Sequence, residues 1–161
     1  MSVVADTSPL CYLILIGEVD LLASLFNEII VPEAVLDELK DEGAPEAVQL
    51  WAAALPDWVK TLPNPVLQIT GLEKLQAGET AAILLAESIG AGTIILDEKA
   101  ARRIATARGL RVIGLLGIVD EAAARGLVDP VSAIDGLKAT SFRASPSLMK
   151  GVLDRHQNRG Q

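Results

Sequence analysis

Histidine and cysteine are almost absent from this chain of 161 residues, which has one of each, His156 and Cys11. A single cysteine closes no internal disulfide, and together the two cannot supply the four ligands of a structural zinc site. Ser-His-Asp and Cys-His hydrolase machinery is excluded in practice too, because His156 lies in a polar C-terminal stretch. Any catalytic metal would therefore have to be held by oxygen ligands, which favours Mg2+ or Mn2+. Cys11 sits in an apolar stretch and is expected in the core. Aromatics are also scarce, with two Trp, two Phe and one Tyr. The core is then expected to be aliphatic, and no base-stacking platform for nucleic acid is predicted. No apolar run reaches the roughly 18 to 20 residues that span a bilayer, and no basic segment leads an apolar one as in a signal peptide. The expected location is the cytoplasm, with no membrane partner.

Bases are scarce in one part of the chain only. Residues 1–98 carry 16 acids and 3 bases, whereas residues 99–161 carry 5 acids and 11 bases, giving balances of −13 and +6 within a net charge of −7. A chain divided this way can fold into an acidic centre with a basic rim; the alternative is a solvated surface without functional pattern.

The chain length fits one domain, expected over residues 1–154, with a frayed polar tail at 155–161. Short apolar, β-branched runs at residues 2–6, 28–31, 59–62, 93–97 and 111–113 are expected strands, the third of them at a sheet edge. Amphipathic stretches opened by Pro or capping residues and closed by Gly alternate with them. This alternation predicts an α/β domain, a parallel sheet of about five strands with helices on both faces. Thr7 or Ser8 is expected to cap the first helix, and Pro9 and Pro32 to open helices.

Asp6 and Asp97 each end an apolar β-like run and precede a helix. In a parallel sheet such residues emerge at the same carboxyl edge, where open α/β sheets place their chemistry. Adjacent parallel strands are about 4.8 Å apart, so two such carboxylates can share a divalent cation that removes their mutual repulsion. Asp6 alone reads equally well as a turn residue, Glu79 as an ordinary first-turn acid, and Glu38 as part of a solvated acidic helix face.

The segments D-T-S-P-L (Asp6 to Leu10), V-L-D-E-L (Val35 to Leu39), G-E-T-A-A-I-L-L-A (Gly78 to Ala86) and I-I-L-D-E-K-A-A-R (Ile94 to Arg102), followed by R-V-I-G-L-L-G-I-V (Arg111 to Val119), resemble PIN-domain proteins. Order and spacing together carry the resemblance. It is closest to the small prokaryotic branch related to the toxins of toxin-antitoxin pairs. The resemblance implies an Mg2+- or Mn2+-dependent ribonuclease, with Asp6 as central metal ligand, Asp97 and Glu79 completing the cluster, and Glu38 binding metal or orienting water. Ser8 would hold Asp6 or a water. One departure is Glu98, where relatives of this branch often carry a second aspartate.

The helix bearing Lys99, Arg102, Arg103 and Arg108 starts at the expected site edge, so its first-turn bases could contact RNA phosphates; Arg103 and Arg108 read equally as solvated surface. A second reading is a PIN-like binding or regulatory module without catalysis, against which stands the presence of all four acids. A haloacid-dehalogenase-like phosphatase would need an acid where Ser8 stands, and neither glycine-rich nucleotide fingerprint occurs. Half the residues are apolar and mean hydropathy is +0.38. That excess, together with the habit of similar proteins, implies a homodimer and an antitoxin partner.

Overall fold

All five runs expected to be strands form strands in the computed structural model of the chain, which describes residues 2–65, 72 and 74–157. They are β1 (Val3–Ala5), β2 (Ile29–Pro32), β3 (Val59–Leu62), β4 (Thr93–Ile95) and β5 (Arg111–Ile113). The helices are α1 (Thr7–Leu15), α2 (Leu21–Phe26), α3 (Glu33–Lys40), α4 (Glu46–Ala53), α5 (Ala77–Ser88), α6 (Lys99–Ala107), α7 (Leu115–Ala124), α8 (Pro130–Lys138) and α9 (Pro146–Arg155). The strands make one all-parallel sheet in the order β3-β2-β1-β4-β5, with β3 at an edge as expected. The chain starts in the centre, winds outward through β2 and β3, then returns to the other side of β1. The order therefore reverses between β1 and β4, and the crevice at their carboxyl ends is where such sheets bind ligands.

Alternation along the strands divides the core into two layers. Val3, Ala5, Ile29, Val31 and Ile95 pack with α1, α2, α3, α4, α7, α8 and α9, while Val4, Ile94 and Leu96 pack with α5 and α6. Strands covered on both faces need continuous apolar sequence, which is why they read as unbroken runs. α5 is buried over most of its surface, and its Ala81, Ala82 and Ala86 let it approach the sheet closely. Cys11 is half-buried against the first layer. Among the described residues no helix is long and apolar enough to cross a membrane.

Four local expectations are corrected. Pro32 ends β2 and occupies the N-cap of α3 rather than opening the helix; its φ of −74° suits an extended position at a strand end. α1 begins at Thr7, two residues earlier than expected, so Pro9 is its third residue, where its missing N–H is still one of the helix's orphans. Neither Thr7 nor Ser8 caps α1: the N-cap is Asp6, which makes no side-chain capping bond. Finally, the stretch expected to fray begins with two anchored residues, while residues 158–161 lie outside the described ones. His156 is buried and its Nε2 donates to Asp120 Oδ1 at 2.7 Å, and Arg155 Nη2 meets Asp120 Oδ2 at 2.9 Å. Burial pushes the Asp120 carboxyl up, but hydrogen bonds and charge from Arg155 and His156 outweigh it and hold the group below the usual carboxylate range.

Asp120 thus ties the end of α9 to α7. Asp120→Ala leaves the buried His156 Nε2 without its partner and is expected to lower unfolding free energy by about 1–3 kcal/mol. Denaturant titration should show a lower midpoint with unchanged slope; an unchanged midpoint would contradict the anchoring role.

Candidate active site

The β1–β4 and β4–β5 ladders each continue one step past the strand ends. Asp6 N donates to Ile95 O at 3.0 Å, and Leu96 N donates to Ile113 O at 3.0 Å, so Asp6 and Asp97 are carried to the carboxyl edge at the point where the strand order reverses. Asp6 is only 2 % exposed. Burial pushes its carboxyl up to about 7; the Thr7 amide opposes this, and the charges of Glu79, Glu38 and Asp97 add to it. The four acids picked out in the sequence therefore act on one another in the fold.

Each of the other three is held by its own element. Asp97 Oδ1 accepts from Leu115 N, the first amide of α7, at 2.8 Å. Burial raises the Asp97 carboxyl, while the Leu115 bond and the Arg102 charge pull it down without cancelling the rise. Glu79 Oε1 accepts from Gln76 N at 3.0 Å, so it does serve as a first-turn capping acid as well as lining the centre. Burial raises its pKa, the Gln76 bond opposes, and the Glu98 and Glu38 charges reinforce. Glu38 Oε1 accepts from the Thr7 hydroxyl. A Cβ on Gly78 would lie 2.0 Å from that same oxygen and 3.0 Å from Thr7 Oγ1, so the carboxylate fills the space beside a helix residue that has no side chain.

Glu98 faces two ways. Its Oε2 accepts from Ala101 N at 3.0 Å and caps α6, yet its charge reaches Glu79. Ser8 is exposed and lines a groove with Asp97, Glu98, Lys99 and Arg102. Among the described residues it makes no hydrogen bond to Asp6, because its position in the first turn of α1 turns it to the rim. Lys99 and Arg102 stand in the first turn of α6 at the same rim. Arg103 and Arg108 do not line it; Arg108, at the far end of α6, is paired with Glu87 at 2.8 Å. Sequence reasoning missed Thr7 as the partner of Glu38, Gly78 as the opening for it, and the α7 amide that fixes Asp97. The only advance signal was the placement of Gly78 and Gly114 inside the matched segments.

Asp6 Oδ1 and Asp97 Oδ2 are buried and have no hydrogen-bond partner among the described residues. Unsatisfied buried acceptors are costly and rare, and a cation would satisfy both. Among the described residues no three His, Cys, Asp or Glu side chains converge closely enough to hold a metal ion together. Mg2+ does not require that, since it is commonly held through one or two carboxylates with waters completing its shell. An oxygen-only donor set with two unpaired carboxylate oxygens fits such a hard cation.

A doubly wound parallel sheet with buried carboxylates at its switch point defines an α/β protein with an acid-built site. The family follows from a comparison with family models: residues 2–158 match the model described as PIN domain, and the chain belongs to that family. PIN domains are generally nucleases that bind nucleic acid and typically use divalent metal ions. Searches among curated proteins and among solved structures give no match.

The raised Asp6 pKa has a consequence for stability. Between 3.8 and about 7 the folded protein keeps a proton that the unfolded chain has lost, so without metal this group's contribution falls as pH rises through that window. The full difference is on the order of 4 kcal/mol above pH 7. Asp6→Asn removes it. In chelator, the variant should melt above the parent at pH 8, with the gain shrinking towards pH 4. A variant that melts lower at pH 8, or whose gain is the same at both pH values, would contradict the assignment.

Proposed function

We propose that the protein is an Mg2+- or Mn2+-dependent endoribonuclease, the toxin of a toxin-antitoxin pair, working in the cytoplasm. The observation that carries this is the pair of buried, unpartnered oxygens on Asp6 and Asp97 at one crevice. In this reading Asp6 and Asp97 are the direct ligands of the cation, and Glu79, which does not converge on them closely enough to be a third, adds its negative charge to the site. Glu38, positioned by the Thr7 hydroxyl, orients the attacking water and accepts its proton. Lys99 and Arg102 at the rim take up substrate phosphates, and Ser8 contacts the strand at the entrance. A divalent cation bound there supplies Lewis acidity, acidifying water and offsetting charge on phosphoryl oxygens. Arg102 also offsets the charge of Asp97, so that the carboxylates do not repel an incoming phosphate outright.

The second reading, a PIN-like binding or regulatory module, draws on Glu98, whose carboxylate is spent on capping its own helix. RNA cleavage by the purified protein separates the two. With Mg2+ or Mn2+ we expect gel-resolved products that vanish in chelator and in Asp6→Asn; intact RNA under all conditions would leave the binding module standing. Gly78→Ala is a finer check. Helix propensity alone favours alanine there by roughly 1 kcal/mol, but the new methyl forces the flexible end of Glu38 out of its place. Cleavage should fall to the level of Glu38→Gln while the melting temperature stays within a few degrees, and retained activity would show that the Glu38 position is not needed.

Assembly belongs to the same reading. Leu50 and Val131 are large apolar side chains left more than half exposed on helices. They support a homodimer and a face for an antitoxin protein. Light scattering should give twice the mass of one 17.0 kDa chain; a monomer mass at micromolar concentration would refute the dimer.

A further inference from the structure

The groove that opens at Ser8, Asp97 and Glu98 does not stop at the acidic centre. It has a volume of about 1390 Å³ and continues along β5, α7, the segment from Ser141 to Ser145, and α9. Six of the chain's 14 Lys and Arg residues line it, a concentration that a protein of net charge −7 does not produce by an even spread. Two of the six are neutralised in place, Arg125 by Glu121 at 2.9 Å and Arg155 by Asp120. The other four, Lys99, Arg102, Arg111 and Arg143, have no salt bridge among the described residues. Arg143 is turned onto the Phe142 carbonyl at 3.1 Å, and Arg111 is exposed on the edge strand. Between these charges lie apolar side chains, including Tyr12 and Leu148, the latter 62 % exposed.

We propose that this groove is the track for a single-stranded RNA, with Arg111 and Arg143 binding phosphates well away from the scissile bond. The proposal rests on the ribonuclease reading and extends it from the acids to the strand that reaches them. Unpaired cations interleaved with apolar surface match a ligand that shows both phosphates and base faces. A duplex hides its base faces and would use only the charges. An acidic peptide would offer the charges but no regular phosphate spacing.

The test is binding without chemistry. In chelator, with the full chain, a fluorescein-labelled uridine oligomer of about ten nucleotides is titrated at salt from about 50 to 200 mM. Arg111→Glu and Arg143→Glu should each weaken binding several-fold. Each should also flatten the slope of log affinity against log salt by about 0.7. Arg103→Glu, on the same protein but outside the groove, should change affinity less than twofold. A duplex of equal length should bind more weakly than the single strand. Thermal melts accompany each variant, and if Arg143→Glu fails to fold, Arg111→Glu decides. Equal losses at Arg103 and Arg111, no loss at Arg111, equal binding of duplex, or displacement of the oligomer by polyglutamate would each overturn the track. Cleavage in Mg2+ is read separately: a groove effect without cleavage removes the nuclease reading alone, and cleavage without a groove effect removes the track alone.

Discussion

Burying Asp6 where no cationic side chain among the described residues offsets its charge is the constraint on which the rest of the structure depends. The carboxyl is nearly inaccessible and has three more acids acting on it, and burial with those charges pushes its pKa up to about 7, so the protein alone accommodates the charge poorly. What favourable field exists comes from the backbone. α1, α5, α6 and α7 all begin at the carboxyl edge of the sheet, and the positive ends of helices favour anions. Individual amides take part, those of Leu115 on Asp97 and Gln76 on Glu79. Their help is partial, because both of those carboxyls remain raised as well.

That arrangement follows from topology. A parallel sheet must return each strand's chain to the opposite edge, so every following helix starts where the acids are. The strand order reverses between β1 and β4, and Asp6 and Asp97 stand on the two sides of that point. The division of charge along the sequence acquires meaning in the same frame. The acidic first part of the chain supplies Asp6, Glu38 and Glu79 to the centre, and the basic second part supplies the rim and groove beyond it.

The strands and the two edge aspartates were legible because their signals are local: an apolar run buried on both faces, ended by Asp, followed by a helix start. Glu38 and Glu79 were not separable by periodicity from ordinary helix acids, and only the resemblance to PIN domains picked them out. What escaped both routes depends on contacts between distant parts of the chain. Thr7 looked like a cap and instead bonds Glu38, 31 residues away. Gly78 stood only as the first residue of a segment resembling PIN domains, and in the fold its missing side chain leaves space for the Glu38 carboxylate. His156 looked like part of a polar tail because its partner, Asp120, lies 36 residues earlier on another helix. Arg108 shared a basic helix with Arg102, but the length of α6 carries it to the opposite end, where Glu87 claims it.

The central claim is that a divalent cation takes over the charge that Asp6 cannot carry alone. Calorimetric titration of the protein with Mn2+ at pH 6.5, repeated in two buffers of different ionisation enthalpy, tests it by counting protons. Below its raised pKa the Asp6 carboxyl holds a proton that a cation must displace. The account predicts saturable binding with net proton release at pH 6.5, release that fades by pH 8.5, and loss of both in Asp6→Asn. Binding without proton release, or with equal affinity in Asp6→Asn, would contradict it.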